Sequence, residues 1–266
     1  MKNPHRKLAF VLAATNQGTL IVNRFDYNKL QNGQLYGVGI QLLNDGSFDM
    51  AEVELICGLL DFRRQYQGSG VVALDCGANI GVHTVEIAKH LTGWGSIIAV
   101  EAQERLYYAL AGNIALNNCF NARAIHAAVT HAPGTMKMPV PDYLNAGSFG
   151  SLELKPLANA EFIGQAVDYS QAKMVEVPTV SIDSLDLARV DLIKIDIEGM
   201  EPEALGGGMK TITAQRPVLV VEHKKTDKAK LQATLEKLGY AVFDCEWYFI
   251  GVHRSDKCLA HVKSVT

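Results

Sequence analysis

The sequence predicts an α/β protein: a mostly parallel sheet with helices on both faces. Three observations carry this. Short apolar runs alternate with helical patterns of ten or more residues from about residue 71 onward. The first of these runs ends in an acid and a glycine turn, "ALDCGANIGVHT", the form a strand takes when it feeds a helix. The final stretch, "YAVFDCEWYFIGVHR" followed by "KCLAHVKSV", reads as two closing strands, a hairpin that would give the sheet an antiparallel edge.

Taken in order, residues 1–48 read as a strand-rich extension and residues 49–266 as the main domain. "KLAFVLAATNQGTLIVNRFD" predicts two strands around the turn Asn16-Gln17-Gly18, and further turns fall at "QNG" and "NDG". The basic start and short apolar run of the opening only faintly imitate a signal peptide. "SFDMAEVELICGLLDFRRQY" predicts a helix that Ser47 or Asp49 can cap, with Val53, Ile56, Leu60 and Phe62 roughly on one face. "VVALD" is then a buried strand, "GVHTVEIAKHL" a helix and "SIIAVEA" a second strand. Leu106, Leu110 and Ile114 mark the next helix, and "ARAIHAAV" the third strand. Residues 131–173 look irregular. "DLIKIDI" and "RPVLVVEH" are the fourth and fifth strands. Pro202 suits the first turn of the helix between them, and Leu231, Leu235 and Leu238 line one face of the helix that follows.

The 266 residues are 48% hydrophobic, enough for a sizeable core. A net charge of −3 gives no reason to expect nucleic acid or an anionic membrane as a partner. The five scattered cysteines form no CxxC pair, so they argue against zinc and read as reduced thiols of a cytoplasmic protein. No run approaches the ~20 apolar residues of a membrane span.

The glycine turn suggests a ligand. A dinucleotide fingerprint fails because Asn79 stands where a glycine is needed, and a phosphate loop fails because no glycine-lysine pair follows. Instead there is Asp75 before Gly77 and Gly81, and a second acid, Glu101, 20 residues after Gly81, where it can accept ribose hydroxyls. A ligand with a ribose, no phosphate and a cationic amino-acid end fits, and S-adenosylmethionine has those features.

"DCGANIGVHT", "VEAQERLYYALAGNIALNN" and "LIKIDIEGMEPEALGGG", in that order, resemble the FkbM-type family of S-adenosylmethionine-dependent methyltransferases, over roughly residues 50 to 225. The resemblance implies the class I, Rossmann-like methyltransferase fold, a seven-stranded sheet whose last strand is antiparallel. It implies O-methylation of a hydroxyl on a sugar, glycan or natural-product acceptor. N- or C-methylation from the same donor site and a non-catalytic donor-binding module are the alternatives. The donor residues expected are Asp75, Gly77, Ala78, Asn79 and Gly81 in the first block, with Glu101, Ala102 and Asn113 in the second.

The third block crowds acids at the end of an apolar strand. Asp196 and Glu198 are expected at the cleft, with Lys194 two residues earlier on the face of Asp196. Glu222 and His223 close the neighbouring strand. These five are the candidate catalytic residues, any of the three acids or the imidazole serving as base. A divalent metal on the carboxylates is conceivable but not predicted. Glu201 and Glu203 read as helix-start acids. His83 reads as structural, and Ser148, Gly150 and Ser151 as a lid or a plain surface loop.

Overall fold

The computed structural model describes residues 6–262 apart from 31, 158, 159 and 171. The chain opens with an antiparallel hairpin, β1 (Phe10–Thr15) and β2 (Gly18–Asn23), turning at Asn16-Gln17. Two-residue strands β3 (Asn28–Lys29) and β4 (Leu35–Tyr36) precede helix α1 (Val38–Asp45) and helix α2 (Met50–Gln67). The strand-rich reading of this region missed α1, a helix of eight residues bounded by Gly37 and Gly46. Asp49 does stand at the start of α2, but its side chain makes no capping bond, and neither does Ser47.

The expected alternation follows: β5 (Val71–Cys76), α3 (Val82–His90), β6 (Gly95–Glu101), α4 (Glu104–Leu116) and β7 (Ala122–His126). Strands β8 (Ala128–Val129), β9 (Gly134–Pro139) and β10 (Met174–Val180) form a small separate sheet in the order β8-β10-β9. The stretch read as irregular therefore contains a strand, β9, whose partner lies 35 or more residues away in the chain. The rest is β11 (Leu192–Ile195), α5 (Glu201–Gly206), α6 (Met209–Gln215), β12 (Val218–Glu222), α7 (Lys228–Lys237), β13 (Tyr240–Cys245) and β14 (Tyr248–His253).

The main sheet has seven strands in the order β13-β14-β12-β11-β5-β6-β7. All neighbours are parallel except those of β14, which runs antiparallel to both β12 and β13. This is the class I methyltransferase sheet, with its last strand reversed and inserted beside the edge strand. The closing hairpin lies wholly within 240–253. "KCLAH" is a 3-10 helix, not a strand, and residues 263–266 of that expected strand lie outside the described residues.

The central strands are apolar because both faces are covered; β5, β11 and β12 bury nearly every residue. The hairpin joins the same core, since Leu20 and Val22 pack in one cluster with Ile80, Val85 and Leu106. All five cysteines are free thiols. Among the described residues no helix is long and apolar enough to cross a membrane.

Candidate functional site

Chain order reverses between β5 and β11, and there the carboxyl ends of the strands open onto a cavity of about 610 Å³. Its floor is the turn after β5. Gly77 (φ +86°) permits the bend, and a Cβ on it would stand 1.8 Å from the Asp196 carbonyl oxygen. Only glycine lets the turn pass so close beneath the end of β11. Asn79, also left-handed (φ 52°), donates its backbone N–H to Glu101 Oε2 at 2.8 Å, while Gln103 N–H reaches Glu101 Oε1 at 2.7 Å. Burial pushes the Glu101 carboxyl up to about 7 against these two bonds. Asp75 is buried; its Oδ2 accepts from Thr84 Oγ1 at 2.6 Å, and its Oδ1 is buried with no partner.

Asp75, Gly77, Ala78, Asn79, Glu101 and Ala102 all line the cavity. Gly81 and Asn113 do not. Gly81 starts α3 and packs under Leu110, whose Cδ1 would be 2.5 Å from an added Cβ. Asn113 is fully buried. Its Oδ1 accepts from Ile21 N–H at 2.5 Å, and its Nδ2 donates to the Ile80 carbonyl at 2.7 Å. It is a bracket that joins the N-terminal hairpin to the glycine turn, and its donors are spent.

On the other side of the cavity, Asp196, Glu198 and Glu222 each bring a carboxylate oxygen to within 4.8 Å of the others. Lys194, buried in β11, holds Asp196 Oδ2 at 3.0 Å. Burial disfavours its ammonium, but Asp196, Glu52 and Asp75 outweigh that and hold the lysine charged. Lys225 does the same for Glu198, with Nζ 2.8 Å from Oε2. The same ammonium meets Glu153 at 3.1 Å and the Ser151 carbonyl at 2.7 Å. Glu222 has no such cation, and its Oε2 is buried and unpaired. Burial first, then Asp196, raises Glu198 to about 8 and Glu222 to about 10. The spacing of the trio suits a divalent cation. Two of its three members, however, are already balanced by lysines.

His223 is not in this group. Successive residues of a strand face opposite ways, and with Glu222 in the cavity, His223 turns to Asp244 (3.1 Å) and packs at a tilt against Phe249. Glu201 is more than a helix-start acid. It is fully buried, and its Oε1 accepts the N–H groups of Ile197 and Gly199 at 3.1 and 3.2 Å. It thereby holds the loop in which Glu198 sits at φ 57°. Glu203 is at the surface, paired with Lys155.

A roof covers the cavity. The segment around Phe149 supplies Ser148, Gly150, Ser151 and Leu152 to its lining, and the segment after Asp26 supplies Tyr36 and Val38. The two segments are bound together: Asp26 Oδ1 accepts Phe149 N–H (3.0 Å), Asn23 Nδ2 donates to the Tyr143 carbonyl (3.0 Å), and Asn28 Nδ2 to that of Phe162 (2.6 Å). The roof touches the donor turn through Gln103 Nε2, 2.8 Å from the Phe149 carbonyl, and through Gly150, which lies against the Asn79 amide. Trp247, Tyr36 and Leu30 stand partly exposed at the mouth. The cavity also takes in Asp49, read from sequence as a helix cap, His83, read as structural, and Glu52, which carried no reading. An acid two residues into a predicted helix and a histidine in the turn after a glycine loop carried no signal until α2 docked against α3.

No curated protein matches the chain in sequence. Among solved structures it is similar to methyltransferase FkbM from Methylobacillus flagellatus KT (15% identity, TM-score 0.47), with 72% of this chain aligned to 48% of that one. The chain thus spans about half the length of that protein. It is also similar to a precorrin-6y C5,15-methyltransferase from Geobacter metallireducens GS-15 (14% identity, TM-score 0.43, 79% and 90% covered). A third match is an O-methyltransferase from Bacillus cereus in complex with SAH (13%, 0.44, 78% and 83%). The family model described as the methyltransferase FkbM domain matches residues 75–242, more than half of the sequence and the whole span from the glycine turn to the edge strand, and the chain belongs to that family.

Proposed function

We propose that the protein is an S-adenosylmethionine-dependent O-methyltransferase acting on a hydroxyl of a sugar, glycan or related small molecule. The observation that carries this is one cavity with two chemically distinct ends. At one end are the glycine turn, an orphaned Asp75 oxygen and a buried Glu101, with apolar walls at Ala102, Leu106 and Ala128. At the other is a carboxylate trio under an aromatic rim.

The first end fits the donor. Glu101 would accept the ribose hydroxyls, Ala102, Leu106 and Ala128 would flank the adenine, and Gly77 to Asn79 would carry the sulfonium region at close approach. When bound, the donor supplies an activated methyl group: its carbon–sulfur bond breaks with the electron pair going to sulfur as the carbon–oxygen bond forms. What remains for the protein is alignment and removal of the hydroxyl proton. Asp196, held in place by Lys194, is the proposed base that takes that proton. Glu222, pushed by burial to about 10, is neutral at pH 7 and donates a hydrogen bond that orients the acceptor, while Glu198, paired with Lys225, accepts one. The rings of Trp247 and Tyr36 offer apolar faces against which a sugar can lie.

Melting temperature with S-adenosylmethionine, S-adenosylhomocysteine and NAD⁺ tests the donor. The first two should raise it and the last should not; stabilisation by NAD⁺ alone would sink the reading. Transfer of labelled methyl from the donor to sugars and polyols then tests the acceptor class. Labelling of amines but not hydroxyls would move the assignment to N-methylation.

A further inference from the structure

The cavity contains a further pair of polar groups, Glu52 and His83, that the methyl-transfer reading leaves without a task. His83 lies in the first turn of α3, just beyond the glycine turn, and is 8% exposed. Its Nε2 is buried without a hydrogen-bond partner among the described residues. The nearest carboxylate, Glu52 Oε2 on α2, is 3.7 Å away, too far for a hydrogen bond. Both residues line the cavity, and Phe48 packs edge-on against the imidazole at 6.3 Å and fixes its plane. Glu52 is ionised. Burial opposes this, but Lys194 and His83 outweigh burial and hold the carboxyl at about 2. An ionised carboxylate facing Nε2 favours the proton on that nitrogen, so the site presents a fixed acceptor and a fixed donor side by side, neither bonded to the other.

Position along the cavity says what they would meet. Glu101 ends β6, and the apolar wall of Ala102, Leu106 and Ala128 lies beyond it, away from β11. A donor whose ribose is on Glu101 and whose base is on that wall must extend its amino-acid end the other way, toward β5 and β11. There Asp75 pairs in register with Lys194, and Lys194 feels the charge of both Glu52 and Asp75. Resting on the donor reading above, we propose that Glu52 and His83 form the receptor for the zwitterionic amino-acid end of the donor, Glu52 taking its ammonium and His83 Nε2–H its carboxylate. The pair offers an α-amino acid one acceptor and one donor a few ångströms apart, both half or more buried and held in place by packing before binding.

Two probes separate this from a structural role. S-adenosylhomocysteine carries the amino-acid end; 5′-methylthioadenosine shares its adenosine and thioether and lacks that end. Calorimetry on the full chain compares both ligands against wild type, His83→Gln and Glu52→Gln. The expected result is a loss of S-adenosylhomocysteine affinity of about tenfold or more in each variant, as for a charge-assisted contact, with methylthioadenosine affinity changed less than about threefold. An equal loss for both ligands would overturn the proposal and make the pair a support of the helix packing. Unchanged affinity for both would overturn it too. A wild-type protein that binds neither ligand would overturn the donor reading itself and this assignment with it.

Discussion

Glu101 offers the most quantitative test of the donor end. Its carboxyl is buried, each oxygen already accepts one backbone N–H, and its value is displaced from 4.5 to about 7. The folded value lies above the unfolded one, so the fold favours the neutral form. In the free protein this group therefore lowers stability as pH rises from about 4.5 through 7, by up to ~3 kcal/mol. Donor binding uses the opposite form, because two ribose hydroxyls need an ionised acceptor. Affinity for S-adenosylhomocysteine should accordingly fall as pH drops through 7, by about tenfold between pH 8 and pH 6. In Glu101→Gln the slope should vanish and affinity at pH 8 should fall by ~10- to 100-fold, the worth of a charge-assisted contact. The amide must also turn its NH₂ toward one of two backbone donors, Asn79 or Gln103, which should cost a further ~1–3 kcal/mol of stability. Calorimetry across pH and melting curves read both effects. A dissociation constant that stays flat from pH 6 to 8 in the wild type would refute the assignment of Glu101 as the titrating ribose acceptor.

Three further outcomes are expected. Gly77→Ala forces a Cβ onto the Asp196 carbonyl oxygen at a left-handed position; it should cost at least ~3 kcal/mol and lower the melting temperature by ~6 °C or more, so a shift under 2 °C would refute the close approach. Lys225→Met leaves Glu198 and the buried Glu153 without their cation, a loss of ~3–5 kcal/mol at pH 8.5 that should shrink at pH 5.5 as Glu198, raised to about 8, protonates. A pH-independent loss in melting experiments would mean the lysine acts through packing alone. Asp196→Asn should leave donor affinity within about threefold and reduce turnover by ~100-fold or more, assayed with Mg²⁺ and with EDTA in parallel. Parental turnover in this variant would remove Asp196 from the base role.

The sequence displayed the βα alternation, the glycine turn and the acid in register after it because all three are local: each is set by spacing within about 30 residues. Glu222 and His223 show where a local rule was available and went unused. Adjacent strand residues face opposite ways, so with Glu222 turned into the cavity His223 points away from it. Asn113 could not be read, because a buried asparagine in a helix is explained only by Ile21 docking on it from a hairpin 92 residues earlier. Helix α1 is too short, at eight residues, for periodicity to outweigh the turns around it. Strand β9 pairs with β10 across an intervening roof, a contact with no local trace. Glu52 and His83 became a pair only through the packing of α2 on α3. Where the acids stood in the sequence was plain; which lysine neutralised each was not, since Lys225 reaches Glu198 from the next strand's loop.

The roof over the cavity is made of two ribbons far apart in the chain, one around Asp26 and one around Phe149, laced by Asp26, Asn23 and Asn28. This couples them as hereditary units. A recombinant that imports one ribbon from a relative would set the side chains of Asn23, Asp26 and Asn28 against a backbone path they were not matched to. A graft in this scaffold then has to move the two segments as a matched pair.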